Sequence, residues 1–102
     1  MSIKVIIEFR SKPGRRGDLH GALDALVQDQ GSGLDGYLGS TRYAVVDAPD
    51  LLVEIAEWTT IEARAKHLEE AKATGAFATV FELLTGPPRV TVLRDLPSTA
   101  AK

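Results

Sequence analysis

The sequence of 102 residues contains no cysteine and only two histidines, His20 and His67. Without cysteine the chain can form no disulfide and no thiolate metal site, and it has no cysteine nucleophile. Two histidines are also few for a metal centre that is built mainly from histidine ligands. Clusters of basic residues are missing too. The formal net charge is −2, and Arg15 and Arg16 are the only adjacent basic pair among the 12 Lys and Arg residues. The electrostatic footprint of a nucleic-acid-binding protein is therefore absent.

Long apolar runs are also lacking. No stretch approaches the length of a transmembrane helix, and residues 1–4 lead directly into a strand pattern without the apolar segment of a signal peptide. We therefore expect a cytoplasmic protein that binds neither membrane nor nucleic acid. The hydrophobic share of 44% and the charged share of 25% are typical of a globular domain. We expect one domain over residues 1–96, followed by a loose tail over residues 97–102.

Four strands and three helices are predicted from the residue pattern. β-branched and aromatic residues predict strands over residues 3–10, 37–46, 51–58 and 89–94. Apolar residues at helical spacing predict a first helix from Asp18, ending before the Gly-Ser-Gly run at 31–33. A second helix runs to about residue 73, and a shorter third helix carries residues 77–84. Thr59 and Glu62 have the spacing of a capping box, which predicts Thr59 as the N-cap of the second helix.

The order β-α-β-β-α-β is typical of an α+β, ferredoxin-like fold with a four-stranded antiparallel sheet. Its helices cover one face of the sheet. On the third strand both faces are largely apolar, with Ala56 and Trp58 on one side and Val53 and Ile55 on the other. Because the helices can cover only one of these faces, we expect a second copy of the chain to cover the other. The pattern therefore predicts a homodimer.

From residue 51 onward the sequence resembles the antibiotic biosynthesis monooxygenase family. The similarity consists of a strand ending in Glu57-Trp58, a Thr-capped helix carrying His67, a Phe-bearing helix, and Gly86-Pro87-Pro88 before the last strand. Glu8-Phe9-Arg10 followed by Lys12-Pro13-Gly14 is similar to the first strand and turn of the family, so the resemblance reaches to about residue 96. It implies a dimeric α+β barrel. It marks the fold more strongly than the activity, because the family is chemically diverse.

Two branches of that family can be compared with the residues of this chain. The haem-degrading branch uses an Asn, a Trp and a His at positions that here are Phe9, His67 and Phe81, so the resemblance does not imply haem degradation. The anthrone-oxygenating branch carries the pattern Asn-x-Ala-x-Trp on the third strand. The corresponding residues here keep Ala56 and Trp58 but replace the Asn by Glu54. A Tyr six residues after the Trp in some of these enzymes is Arg64 in this chain.

The resemblance implies a pocket between the sheet and the helices, with Glu54, Trp58, Arg64 and His67 as candidate catalytic residues. Glu54 and Trp58 share a strand face, and Arg64 and His67 lie three residues apart on one helix surface. A carboxylate inside a domain needs a partner, so we expect Glu54 and Arg64 to meet in the pocket. Such a pair is either a structural link between helix and sheet or a group that binds or deprotonates an acidic substrate hydroxyl. His67 is a candidate proton shuttle.

Four aromatic residues are candidates for substrate binding: Phe9, Tyr43, Phe77 and Phe81. The resemblance implies a cofactor-independent oxygenase acting on a small aromatic, polyketide or quinol-like substrate with O₂, without metal, haem or flavin. Two alternatives stay open. One is a non-redox isomerase or lyase on the same barrel, with Glu54 and His67 as acid and base. The other is a non-catalytic dimer that binds a small molecule.

Overall fold

The computed structural model of the chain describes residues 2–30 and 35–96, with the backbone alone for residues 29 and 30. In chain order the elements are β1 (Ile3–Arg10), α1 (Arg16–Gln30), β2 (Tyr37–Ala44), β3 (Leu51–Trp58), α2 (Ile61–Thr74), α3 (Ala78–Glu82) and β4 (Arg89–Arg94). β1, β3 and β4 have the predicted bounds. The predicted Gly-Ser-Gly loop at 31–33 and the predicted tail at 97–102 lie outside the described residues, so the domain boundary at residue 96 stays a prediction.

The four strands form one sheet in the order β2-β3-β1-β4, and every neighbouring pair is antiparallel. This arrangement confirms the predicted α+β, ferredoxin-like fold. β2 ends two residues earlier than predicted, because Val45 accepts a hydrogen bond from the Ala48 N–H and so begins the turn to β3. Val46 is then 99% exposed at that turn. Strand propensity alone had extended β2 through both valines.

Burial alternates along β3, where Leu52, Glu54, Ala56 and Trp58 are buried against the helices. The apolar core on this side is divided into two clusters. One is centred on Phe9 and α1, and the other joins β1 to Trp58. Ile7 packs against both clusters. The gap between them is where the cavity described below is found.

The opposite face of the sheet is the one for which the sequence predicts a second copy of the chain. Ile6, Val53 and Ile55 on this face are half-buried, although no helix in residues 2–30 and 35–96 covers them. Tyr43 and Leu93 are more exposed, at 50% and 39%. None of the helices within the described residues is long and apolar enough to cross a membrane.

β2 contains a bulge at Leu38. Tyr37 is opposite Trp58, whereas Gly39 is already opposite Glu57, so Leu38 is an extra residue in β2. Gly39 has a φ of +125°, which an L-amino acid with a side chain rarely adopts. Because the bulge shifts the alternation by one residue, Tyr37 faces the helices together with Arg42 rather than with Tyr43.

The N-cap of α2 is Thr60 and not Thr59, as the sequence had predicted. The Thr60 hydroxyl accepts a hydrogen bond from the Ala63 N–H at 3.0 Å, so Glu62 lies one position too early for a capping box. Thr59 instead links the start of α2 to the residue before β2, because its N–H donates a hydrogen bond to the Gly36 carbonyl at 2.7 Å. A Cβ at Gly36 would lie 2.6 Å from the Ala63 Cβ, so only glycine permits this close approach. The contact fixes the start of β2 against the start of α2.

Candidate active site

A cavity of about 260 Å³ lies between the sheet and the helices. Its walls come from β1, β2, β3, β4 and all three helices within the described residues. Most of the lining side chains are apolar. The polar exceptions are few, and they include Arg42, Glu54, Arg64 and His67. Phe81 on α3 and Val90 on β4 are the wall residues that are most open to solvent, at 55% and 44%, so the cavity opens on this side.

A continuous row of aromatic rings borders the cavity. Tyr37 and Trp58 have ring centroids 5.2 Å apart, and the Trp58 indole stacks on the His67 imidazole with centroids 5.4 Å apart and an interplanar angle of 30°. The row continues through Phe77, edge-on to His67 at 6.3 Å, to Phe81 at 6.0 Å. Such a wall offers both faces and edges to a flat aromatic molecule. The sequence predicted Trp58, His67, Phe77 and Phe81 at this site, and the structure brings all of them to the cavity.

His67 is held in a partly desolvated position against Trp58. Burial lowers the pKa of His67 from its ordinary value because an imidazolium loses hydration there. The carboxylate of Glu70 raises the pKa of His67, and the guanidinium of Arg64 lowers it, but desolvation is the largest effect. The net shift favours the neutral imidazole. A neutral imidazole beside a ligand cavity can accept a proton.

Glu54 is paired with Arg42 and not with Arg64, which corrects the sequence-based prediction. The Arg42 Nε donates to the Glu54 Oε2 at 3.0 Å, and both side chains are almost fully buried. Arg42 Nη1 also pairs with Asp24 on α1, which is half-exposed. The pair links β2 and β3 directly, because Arg42 and Glu54 are opposite each other in the strand register. The other oxygen of Glu54, Oε1, accepts no hydrogen bond from a described residue.

Arg64 borders the same cavity from the first turns of α2. Its side chain makes no ion pair or hydrogen bond with any of the residues whose side chains are described. Partial burial lowers the pKa of Arg64 from its ordinary value, although the guanidinium stays protonated at neutral pH. The prediction that Arg64 and His67 share one surface is confirmed, since both line the cavity.

Tyr43 does not reach this site. It is opposite Val53 and so lies on the open face of the sheet, where it lines a shallow groove with Lys4 and Ile55. Tyr37 is the β2 tyrosine that lines the cavity, and its hydroxyl forms a hydrogen bond with the Ser40 hydroxyl at 2.6 Å. Phe9 lines the cavity, as predicted. The described residues hold no group of three His, Asp or Glu side chains placed to bind a metal ion.

Solved structures of this fold cover nearly the whole chain. Rv0793 from Mycobacterium tuberculosis is 29% identical, with a TM-score of 0.76, and the match covers 98% of this chain and 100% of that one. A Bordetella bronchiseptica protein provisionally named an antibiotic biosynthesis monooxygenase has a TM-score of 0.80 and 18% identity, covering 94% and 98% of the two chains. SnoaB from Streptomyces nogalater, a cofactor-independent oxygenase, has a TM-score of 0.78 and 14% identity, covering 97% of each chain.

These similarities confirm the predicted resemblance, and the chain has the fold of the antibiotic biosynthesis monooxygenase structures. No protein-family model matches the sequence, and no curated protein has significant sequence similarity to it. The fold therefore rests on structural similarity, and the chemistry has to be argued from the residues of the cavity.

Proposed function

We propose that this chain is a cofactor-independent oxygenase of the antibiotic biosynthesis monooxygenase type, acting on a small planar aromatic, polyketide or quinol-like substrate. The observation that carries the proposal is the row of rings from Tyr37 to Phe81 along a cavity that the His67 imidazole and the Arg64 guanidinium also line. Stacked and edge-on rings hold a flat substrate in one orientation. The polar groups are then aimed at fixed atoms of that substrate.

The reaction requires a base and a stabilised anion. Removal of a proton from an acidic CH₂ or phenolic OH gives a carbanion or phenolate, which passes an electron to O₂. In an anthrone, the CH₂ group becomes a C=O group. One oxygen atom of O₂ enters that carbonyl, and the other leaves as water with the two hydrogens. The substrate supplies all the electrons, so this reaction needs no metal, haem or flavin.

In this proposal His67 is the base, because its lowered pKa keeps the imidazole free to accept a proton at neutral pH. Arg64 lies one helical turn before it and supplies a positive charge that stabilises the developing anion. Glu54 is a less suitable base than the sequence indicated, since Arg42 occupies one of its oxygens. Its Oε1 can instead accept a hydrogen bond from a substrate hydroxyl and so orient the ring.

Oxygen uptake with a panel of anthrones and quinols tests the proposal. The expected result is O₂ consumption in step with formation of the quinone, without added metal or flavin. His67→Gln should lower kcat about 100-fold or more, as loss of a general base commonly does. His20→Gln is the matched control, because His20 lies on the exposed side of α1. Turnover without O₂ uptake would favour the isomerase or lyase alternative, and binding without turnover would favour the non-catalytic one.

We further propose that the protein works as a homodimer through the open face of the sheet. Val53, Ile55 and Ile6 form an apolar patch there, and charged residues such as Lys4 and Glu57 border it. An apolar centre with a polar rim is the usual composition of a protein–protein interface. The cavity lies on the opposite face, so dimerisation by this surface leaves its walls in place.

A further inference from the structure

We infer that Arg64 is an anion anchor, and that the cavity takes an aromatic substrate bearing one carboxylate, which binds the Arg64 guanidinium. This inference deepens the proposed function and rests on it in one respect, that the cavity is the substrate site. The ring of the substrate would lie against the aromatic row that runs from Trp58 through His67 to Phe77. Its carboxylate would lie on the α2 side.

The first argument is the contrast between Arg64 and the arginines around it. Arg42 pairs with two carboxylates, and Arg15 pairs with Asp18. Arg16 donates from Nη1 to the carbonyls of Val45, Ala48 and Leu51, at 3.5, 3.3 and 3.3 Å. Among the described residues Arg64 has no such partner, although it is half-buried at the cavity wall. Among the described residues, it is the cavity guanidinium whose donors are not used by the protein.

The donors of Arg64 are also reachable. No described side chain has a buried nitrogen or oxygen that lacks a hydrogen-bond partner. Since the nitrogens of Arg64 have no such partner, each of them must be open to solvent or to the cavity. A partly desolvated guanidinium that has lost some of its water gains most from an anion that replaces it. Two parallel N–H groups of its planar fork match the two oxygens of a carboxylate.

The charges of the cavity wall limit the anion to a single carboxylate. Arg42 and Glu54 compensate each other at 3.0 Å, and burial favours neutral His67, so Arg64 leaves one positive charge in excess. A dianionic phosphate would need further donors, and no second uncompensated cation lines the cavity among the described residues. Glu54 repels a second acidic group at the sheet side. The complementary ligand therefore carries a carboxylate at one end and a neutral or hydrogen-bond-donating group at the other.

Calorimetric titration of the protein with 2-naphthoate and with 2-naphthamide tests the inference. The two probes have the same ring and nearly the same shape. They differ in the negative charge of the carboxylate, which is the group that would bind Arg64. We expect 2-naphthoate to bind about tenfold more tightly or better, the size of one charge-assisted interaction. Arg64→Gln should remove this preference while leaving 2-naphthamide affinity within about twofold. Arg64→Lys should keep part of it, because the charge stays and the fork is lost.

Lys66→Gln is the matched control, since it removes a positive charge from the same helix at an exposed position outside the cavity wall. It should keep the full preference for 2-naphthoate. The inference is overturned if wild-type protein shows no preference, if neither probe binds, or if the preference survives Arg64→Gln. Failure of the oxygenase proposal gives a different pattern: carboxylate-selective binding in the absence of any O₂ uptake. Conversely, O₂ uptake with neutral substrates and no charge preference would overturn the anion anchor alone.

Discussion

Replacing Arg42 by Leu should destabilise the protein far more than replacing Arg64 by Leu. Glu54 is 12% exposed at its side chain, and Arg42 is the only described side chain that pairs with it. Arg42→Leu would leave a buried carboxylate without a partner, which typically costs about 3–5 kcal/mol. The second partner of Arg42, Asp24, is 51% exposed and can be solvated by water, so its loss adds little. We therefore expect a loss of about 3 kcal/mol in the free energy of unfolding.

Chemical denaturation at one fixed protein concentration measures this loss, and a fixed concentration is needed because a dimer's stability depends on it. The double variant Arg42→Leu with Glu54→Gln should recover much of the loss, because the buried group is then neutral. Arg64→Leu leaves no carboxylate unpaired among the described residues, and we expect it to cost less than about 1 kcal/mol. If Arg64→Leu were the more costly change, the pairing of Glu54 with Arg42 would be wrong and the pair first predicted from the sequence would be right.

Three further outcomes follow from the structure. Thr60→Ala should cost about 1 kcal/mol through loss of the α2 cap, whereas Thr60→Ser should cost little, as measured by thermal unfolding. Light scattering should give twice the chain mass at micromolar concentration, and Ile55→Arg on the open face should reduce it to the monomer mass; a folded wild-type monomer would contradict the homodimer. In ¹H NMR, His67 should titrate below its ordinary 6.5. The unfolded state then binds more protons than the folded state, so stability should fall as the pH drops below about 6.5, and His67→Gln should remove that slope.

The faces of β3 and α2 could be predicted from the sequence because their periods are regular. Alternation along β3 placed Glu54 and Trp58 on one face, and the spacing of three placed Arg64 and His67 on one surface of α2. Both predictions follow from local geometry alone, and the structure confirms them. The resemblance to a family added that these two surfaces enclose one cavity.

The sequence did not predict Arg42 as the partner of Glu54. This pairing depends on the register between β2 and β3, and not on the alternation of residues along one strand. An uninterrupted β2 would put Tyr37 on the same face as Tyr43, and Arg42 on the opposite face from Tyr37. The bulge at Leu38 reverses this relation within one strand. A signal was available: a glycine inside a strand pattern, Gly39, often marks a bulge. The predicted strand ends, with Val46 opposite Leu51, would place Arg42 opposite Ile55. In the structure Ala44 is opposite Leu52, which places Arg42 opposite Glu54 as an opposite-charge pair of the kind that stabilises hairpins.

Because Arg64 does not pair with Glu54, the positive charge of Arg64 affects the pKa of His67. In the free protein, burial is the largest cause of the lowered pKa of His67, and the nearby guanidinium of Arg64 lowers this pKa further. A carboxylate bound to Arg64 would offset that charge and raise the pKa of His67 toward its ordinary value. The base would then gain strength only when the substrate is in place, close to neutral pH where proton transfer is most effective. The His67 titration followed by NMR should therefore move to higher pH with saturating 2-naphthoate and not with 2-naphthamide. In Arg64→Gln the midpoint should start higher and respond less to 2-naphthoate. A midpoint that moves equally with both probes would show that the ring, and not the charge, changes the environment of His67.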